Sequence, residues 1–185
     1  LFDYLKTGEF AALADATHPF AAQIARHGVN AAARAGLPYL RLERAAWTPL
    51  PADNWISVPT TEAAVAVLPD AARVFLTIGR KEIAAFLARE DLGGVARMIE
   101  KLPFEPPSRW ALVLARAPFS VEAERELLVQ HKITHLVTKN AGGKLTVAKL
   151  IAARGLRIPV VMIERPPKPP AQTFGSAPAL VAALA

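Results

Sequence analysis

The sequence predicts an α/β fold of two Rossmann-like lobes, each with a mainly parallel sheet and helices on both faces. Short apolar stretches alternate with alanine-rich helical stretches along the chain, and the turns between them are short. This alternation is typical of parallel sheets that helices cover on both sides. Prolines interrupt it near residues 48–72, so we expect two sets of strands and helices that meet there.

The first lobe is predicted over residues 1–68, of which about 48–68 form a linker. Gly8 follows a short helical segment and Gly36 a long one, and glycine is typical of the position just after a helix. The chain thus opens on the end of a helix, and we expect this lobe to lack its N-terminal strand and helix. The expected elements are the helix end over 1–9, a strand over 10–14, a helix over 20–35, a strand over 38–42 and a short helix over 60–68.

The second lobe is predicted over residues 69–185, where strands and helices alternate regularly. Ser120, with Glu122 and Glu124 in the next turn, is typical of a helix start, because serine caps free N–H groups and acidic side chains favour that end. The expected elements are strands over 74–78, 95–99, 110–114, 133–137 and 158–163, and helices over 81–89, 120–131, 144–154 and 176–185.

The composition excludes several classes of protein. Hydrophobic residues make up 52% of the 185 residues, which is too many for a disordered chain. No stretch reaches the roughly 18 apolar residues of a membrane span, and no secretory signal is visible, so we expect a cytoplasmic protein. The absence of cysteine removes disulfides and thiolate catalysis, and the four histidines show no zinc-ligand spacing. We therefore expect no metal.

The net charge of +6 predicts an anionic partner. Nucleic acid is the usual first interpretation of a basic domain. However, the 22 lysines and arginines are scattered, with no basic run and no interleaved aromatic residues that would stack on bases. A small polyanion in a cleft suits dispersed cations at least as well, so we expect no nucleic-acid partner.

The turn that follows the first strand, Asp15 to Phe20, is the first candidate site. Proline is favoured at the first helical position, so Pro19 is expected to open the next helix. Asp15, Thr17 and His18 would then lie at the carboxyl end of a strand, where open α/β sheets bind ligands. His18 and Asp15 are candidates for a proton-donating pair. The alternative is that Asp15 or Thr17 only caps the helix.

The second candidate is the turn Gly79-Arg80-Lys81, between a strand and a helix. Gly79 allows close approach of a ligand to the backbone. Two cations at a helix N-terminus oppose the helix dipole, and a bound phosphate or carboxylate would reverse that effect. The alternative is that both side chains are simply solvated.

The third candidate is the turn Thr138-Lys139-Asn140-Ala141-Gly142-Gly143-Lys144. A polar turn with two glycines before a helix can form an anion-binding nest of backbone amides. It matches neither the GxGxxG nor the Walker pattern, and the chain has no GxSxG elbow for serine hydrolase chemistry. The alternative is a glycine turn with exposed lysines.

Five segments follow one another in a specific order and spacing: Asp15-Ala-Thr-His-Pro-Phe-Ala21, Leu76-Thr-Ile-Gly-Arg80, Ala117-Pro-Phe119, Val137-Thr-Lys-Asn-Ala-Gly-Gly143 and Ile158-Pro-Val-Val-Met-Ile-Glu-Arg-Pro166. Each segment alone is a weak signal. Their combination, which extends over nearly the whole chain, resembles the precorrin-6A reductase family.

This resemblance implies an NADPH-dependent reductase that reduces one double bond of the tetrapyrrole precorrin-6A during corrin synthesis. The acetate and propionate arms of that substrate would suit the dispersed positive charge. The three turns would face a cleft between the lobes. The implied roles are catalysis by His18, Lys81 and Asp15, substrate binding by Thr17, Arg80, Lys139, Asn140 and Lys144, and cofactor binding by Gly79, Gly142 and Gly143.

The chain departs from the family pattern at three points. The family usually opens with a strand and a GGTxEA-type loop, expected to hold the cofactor diphosphate, and this loop is absent here. Ala117 stands where the family tends to have glycine, and Ala141 where it often has serine. These departures concern contacts with the cofactor and the substrate, and the reductase class that the resemblance implies is unchanged.

Two other functions stay open on the residues alone: a non-catalytic anion-binding protein of Rossmann-like fold, and a reductase for another polycarboxylate. Either would use the same glycines and cations. The oligomeric state is also open, with a monomer as the working expectation.

Overall fold

The computed structural model describes residues 1–184 and has an α/β architecture with two parallel sheets, which confirms the predicted fold class. In chain order the elements are α1 (Phe2–Thr7), β1 (Leu13–Asp15), α2 (Ala22–Ala35), β2 (Tyr39–Leu42), β3 (Trp55–Val58), α3 (Thr61–Val67), β4 (Arg73–Thr77), α4 (Ala84–Leu87), β5 (Gly93–Met98), β6 (Trp110–Leu114), α5 (Val121–Gln130), β7 (His135–Lys139), α6 (Ala148–Gly155), β8 (Val160–Ile163), β9 (Gln172–Phe174) and α7 (Ala177–Ala182). Ala185, the last residue of the helix predicted over 176–185, lies outside the described residues.

The chain forms two compact units. The terminal unit comprises Leu1–Ala46 and Arg165–Ala185, and the central unit comprises Trp47–Glu164. These units differ from the predicted lobes, because two strands pair with partners far away in the sequence. β3 pairs with β8 and draws the predicted linker into the central unit. β9 pairs with β2 and draws the C-terminal segment into the terminal unit.

The terminal unit has a three-stranded parallel sheet in the order β1-β2-β9. Gly36 ends α2 in the left-handed conformation at φ 69°, as its position after an alanine-rich segment predicts. The helix start differs from the prediction. α2 begins at Ala22 rather than at Pro19, because the N–H of Ala21 donates to the carbonyl of His18 and closes a separate turn that contains the proline.

The central unit has a six-stranded parallel sheet in the order β3-β8-β7-β4-β5-β6. From β4 the chain moves outward through β5 to β6, and then returns to the other side of β4 with β7 and β8. The strand order therefore reverses between β4 and β7. In doubly wound sheets, ligands bind outside the carboxyl ends of the strands at such a switch point.

The core of the central unit lies along these inner strands. Phe75 on β4, Leu136 on β7 and Met162 on β8 are fully buried, and Leu128 of α5 and Leu150 of α6 pack in the same cluster. Continuous apolar burial of this kind is typical of strands in a covered parallel sheet. The core thus fixes the two strands that carry the second and third candidate turns.

Two helices begin later than predicted. The segment predicted as a helix over 81–89 contains only α4, and the one predicted over 144–154 becomes helical at Ala148. Turn residues occupy the start of both segments. Both loops at the switch point are therefore longer than the sequence predicted.

Candidate functional site

The carboxyl edge of β4 and β7 brings two of the three candidate turns together. Thr77 at the end of β4 is the register partner of Thr138 in β7, so the loops that follow these strands lie side by side. The eight predicted residues at this edge are Gly79, Arg80, Lys81, Lys139, Asn140, Gly142, Gly143 and Lys144. We call this edge the switch-point site.

An ion pair joins the two loops directly. The ammonium of Lys139, at the end of β7, pairs with the carboxylate of Glu82 in the loop after β4. Lys139 is 15% and Glu82 is 34% exposed at the side chain, so the pair is partly shielded from water. A ligand carboxylate that approached Lys139 would therefore compete with Glu82.

Three further cations at the switch-point site are exposed. Arg80 pairs with Glu100 at 3.6 Å, and both side chains are more than half exposed, so this contact contributes little to stability. Lys81 and Lys144 are exposed on the two loops. These side chains can reorient toward an anion at small cost.

Three glycines give the two loops a backbone conformation that other residues rarely adopt. Gly79 has φ 95°, Gly142 has φ 69° and Gly143 has φ 87°. A Cβ atom placed on Gly79 would meet no atom of residues 1–184 within 4 Å, so the space above this residue is open to that part of the chain. Open glycine backbone beside cations fits the approach of a phosphate or carboxylate group. The residues present are thus compatible with a dinucleotide cofactor.

The side chain of Asn140, predicted to bind substrate, is engaged by the chain itself. Asn140 is only 5% exposed, and its side-chain amide forms two hydrogen bonds with the backbone of Trp47. Trp47 lies just before the segment predicted as a linker, and the sequence alone assigns it no role at the site. The pairing of residues so far apart in sequence gives no local signal.

The remaining candidate turn belongs to the terminal unit, at the carboxyl end of β1. Asp15 is 7% exposed and accepts hydrogen bonds from the N–H of Thr17, at 2.9 Å, and from the hydroxyl of Tyr39. The Nε atom of Arg41 lies 3.8 Å from Oδ2 of Asp15. Burial alone would raise the pKa of this carboxyl. The hydrogen bonds from Thr17 and Tyr39, with the nearby charge of Lys168, outweigh burial and lower the pKa.

Asp15 is therefore ionised at neutral pH and holds the turn in place, which fits a positioning role better than proton donation. Its partner Tyr39 was not singled out by the sequence. Burial and the hydrogen bond to Asp15 raise the pKa of Tyr39 to about 12, so this hydroxyl stays protonated.

His18 lies exposed on the same turn and lines a cleft of about 430 Å³. Its Nδ1 accepts the N–H of Phe20 at 3.3 Å, so the neutral ring carries its proton on Nε2. Thr17 also lines the cleft, and its hydroxyl is buried without a hydrogen-bond partner among residues 1–184. The other polar side chains of the cleft are Glu43, Arg44 and Ser176.

Glu43, at the end of β2, ties the C-terminal segment to this unit. Its carboxylate accepts from Arg165 at 3.1 Å and from Lys168 at 3.4 Å. All of these side chains are largely buried. The ion pairs explain how the proline-rich loop after β8 returns to the first strands.

Within residues 1–184, no three His, Cys, Asp or Glu side chains are grouped as metal ligands. In the same range, no helix has the length and apolar character needed to cross a membrane.

Comparisons with known proteins agree with the resemblance seen in the sequence. Residues 1–185 match the family model described as precorrin-6x reductase CbiJ/CobK. Precorrin-6A reductase of Rhodococcus erythropolis is 48% identical over 161 residues, which cover 86% of this chain and 65% of that protein. Precorrin-6A reductase of Rhodobacter capsulatus is 45% identical over 172 residues, covering 91% of this chain and 68% of that protein.

A solved structure of CobK precorrin-6A reductase aligns with a TM-score of 0.92 and 41% sequence identity, covering 99% of this chain and 74% of that one. The chain spans about two thirds of the length of the curated relatives it matches. Because the family model matches from the first residue to the last, the chain belongs to the precorrin-6x reductase CbiJ/CobK family.

Proposed function

We propose that this chain is part of an NADPH-dependent reductase that converts precorrin-6A to its dihydro product, precorrin-6B. The relatives and the solved structure, each named a precorrin-6A reductase, support this reaction. The structural observation that carries the proposal is the switch-point site, where positive-φ glycines and exposed cations follow two adjacent parallel strands.

The cations of the switch-point site are suited to a macrocycle with many carboxylate arms. Arg80, Lys81 and Lys144 are exposed, and Lys139 pairs with Glu82, with which a ligand carboxylate would compete. Side chains of this kind would orient the macrocycle through several weak ion pairs with its carboxylate arms. We propose that these four side chains bind the acetate and propionate groups.

The glycine backbone of the same loops suits the phosphates of the cofactor. Gly79, Gly142 and Gly143 would hold these groups, and the bound dihydronicotinamide would supply a hydride. The reduction also needs one proton on the second carbon of the double bond. We propose that this proton comes from His18 Nε2 or from Lys81 Nζ, with Asp15 and Thr17 holding the turn that carries His18.

Replacing Lys81 or His18 by alanine in the full-length protein is expected to lower kcat/KM for precorrin-6A by at least about tenfold, or about 1.4 kcal/mol of transition-state stabilisation. The assay is anaerobic turnover with NADPH, with the loss of precorrin-6A followed by absorbance. Lys6→Ala is the matched control, because Lys6 is also an exposed lysine but lies in the last turn of α1. Its kcat/KM is expected to stay within about twofold of wild type.

Two outcomes would contradict the proposal. If the wild-type protein does not turn over precorrin-6A, the proposed reaction is wrong. If the wild type is active but Lys81→Ala and His18→Ala both stay within about threefold of it, the proposed roles of these two residues are wrong.

A further inference from the structure

We infer that Trp47 is a positioning residue of the switch-point site: it fixes the loop 140–144 in the conformation that accepts an anionic group, without being required to touch that group. The identity of the natural anion rests on the proposed function. The positioning role itself rests on three contacts of Trp47 within the central unit.

The first contact fixes the start of the loop. The backbone N–H of Trp47 donates to Oδ1 of Asn140 at 2.8 Å, and Nδ2 of Asn140 donates to the carbonyl of Trp47 at 3.1 Å. One side-chain amide thus satisfies both backbone groups of a residue 93 positions away. Because Asn140 is buried, breaking this pair would leave polar groups without partners.

The second contact fixes the end of the loop. The indole Nε1–H of Trp47 donates to the carbonyl of Gly143 at 3.0 Å. A peptide unit is planar and trans, so its C=O and N–H groups point in opposite directions. Holding the Gly143 carbonyl therefore also holds the N–H of Lys144 on the side away from the indole.

This restraint matters because two consecutive glycines otherwise leave the loop free to rotate. Gly142 and Gly143 both have positive φ, and glycine visits many other conformations at little cost. In the described part of the chain, the N–H groups of Gly142, Gly143 and Lys144 donate no hydrogen bond. Gly142 is buried, whereas Gly143 and Lys144 reach the surface, so the amides of Gly143 and Lys144 are the ones that an anion would bind, and their directions depend on the indole contact.

The third contact holds the indole ring itself. The ammonium of Lys149 on α6 lies 5.0 Å from the centre of the Trp47 ring and donates to the carbonyl of Thr146 at 2.9 Å. Burial, together with the charge of Arg97, lowers the pKa of Lys149 to about 8, so it remains mostly protonated at pH 7. A buried cation beside an indole face is attractive, which restrains the ring.

The test compares Trp47→Phe with a matched control in the full-length protein. Trp55→Phe is that control, because Trp55 packs partly buried against the same core as Trp47. Its indole N–H makes no hydrogen bond to any described residue. Both variants lose an indole, but only Trp47→Phe loses the hydrogen bond to the loop.

The probe is benzenehexacarboxylate, a flat ring that carries carboxylate groups. Its affinity is measured by calorimetry, and the protection it gives to the peptide of residues 140–147 is measured by hydrogen exchange. We expect Trp47→Phe to bind the probe about five- to tenfold more weakly and to speed exchange of that peptide without the probe. Trp55→Phe is expected to stay within twofold of wild type in both measurements.

Several results would overturn the positioning role. The role is wrong if the two variants bind the probe with equal affinity, or if hydrogen exchange of residues 140–147 is unchanged in Trp47→Phe. It is also wrong if the probe does not protect that peptide in the wild type. If Trp47→Phe does not fold, Lys149→Met serves instead, because it removes the cation beside the ring and keeps every atom of Trp47. Loss of precorrin-6A turnover with probe binding and loop protection intact would refute the proposed function alone.

Discussion

Replacing Gly94 by alanine is expected to destabilise the protein by more than about 4 kcal/mol, which is a large share of the stability of an ordinary domain. Gly94 is the register partner of Val74, where β5 runs beside β4. A Cβ atom at this position would lie 2.1 Å from the carbonyl oxygen of Val74 and 2.7 Å from its nitrogen. Both are backbone atoms, so relief would require the two strands to separate. The φ of 138° at Gly94 adds strain for any L side chain.

The free energy of unfolding is measured with urea by circular dichroism. Gly155→Ala is the matched control in the same unit, because among the described residues its added Cβ atom would meet only Arg125 Nη1, at 3.9 Å. Alanine is favoured over glycine in a helix, so this control is expected to be unchanged or up to about 1 kcal/mol more stable. A Gly94→Ala protein with wild-type stability would show that β4 and β5 are not packed as described.

Replacing Glu124 by glutamine is expected to cost about 3–5 kcal/mol of stability at pH 7, because it leaves buried cations without their counter-charge. Glu124 Oε1 lies 2.6 Å from the guanidinium of Arg97, and the two side chains are 1% and 8% exposed. Arg97 also lies 3.7 Å from the centre of the Phe119 ring. The charge of Glu124 acts on the buried Lys149 as well. Glutamine nearly keeps the shape of the side chain, but it removes the charge and replaces one acceptor oxygen with an NH2 donor.

Glu122→Gln is the control for that substitution, since Glu122 lies exposed in the same first turn of α5. It is expected to cost at most about 1 kcal/mol through the helix dipole. Urea denaturation at pH 7 compares the two variants. Equal small losses in both would mean that the Arg97–Glu124 pair contributes no more than a surface charge.

Much of the fold is predictable from the sequence, because parallel strands are apolar and their helices carry local start and stop signals. Ser120 caps α5 and Gly36 ends α2, as expected. The strands that were not predicted from the sequence depend on pairing with strands far away along the chain. The four-residue strand Trp55–Val58 lies among prolines and is recognisable only through its partner β8, and β9 only through β2.

The candidate site, too, was predictable where its signals are local and was missed where they depend on distant residues. The turns Gly79–Lys81 and Lys139–Gly143 are recognisable because glycine and cations after a strand have a local meaning, and the structure brings them to one edge. The partners that fix side chains are not local. Trp47 holds Asn140 and Gly143 from 93 and 96 positions away, and Glu124, interpreted as a first-turn charge, is buried against Arg97.

We propose that anionic groups of the substrate bind at the carboxyl edge of β4 and β7. Amide chemical shifts of the full-length protein, recorded anaerobically with and without precorrin-6A, test it most directly. We expect the substrate to shift the amides of Arg80, Lys81 and Lys144 and to leave those of Gly93 and His135, at the amino ends of β5 and β7, unchanged. Shifts confined to Gly93 and His135, with the amides of the three basic residues unmoved, would contradict this binding site.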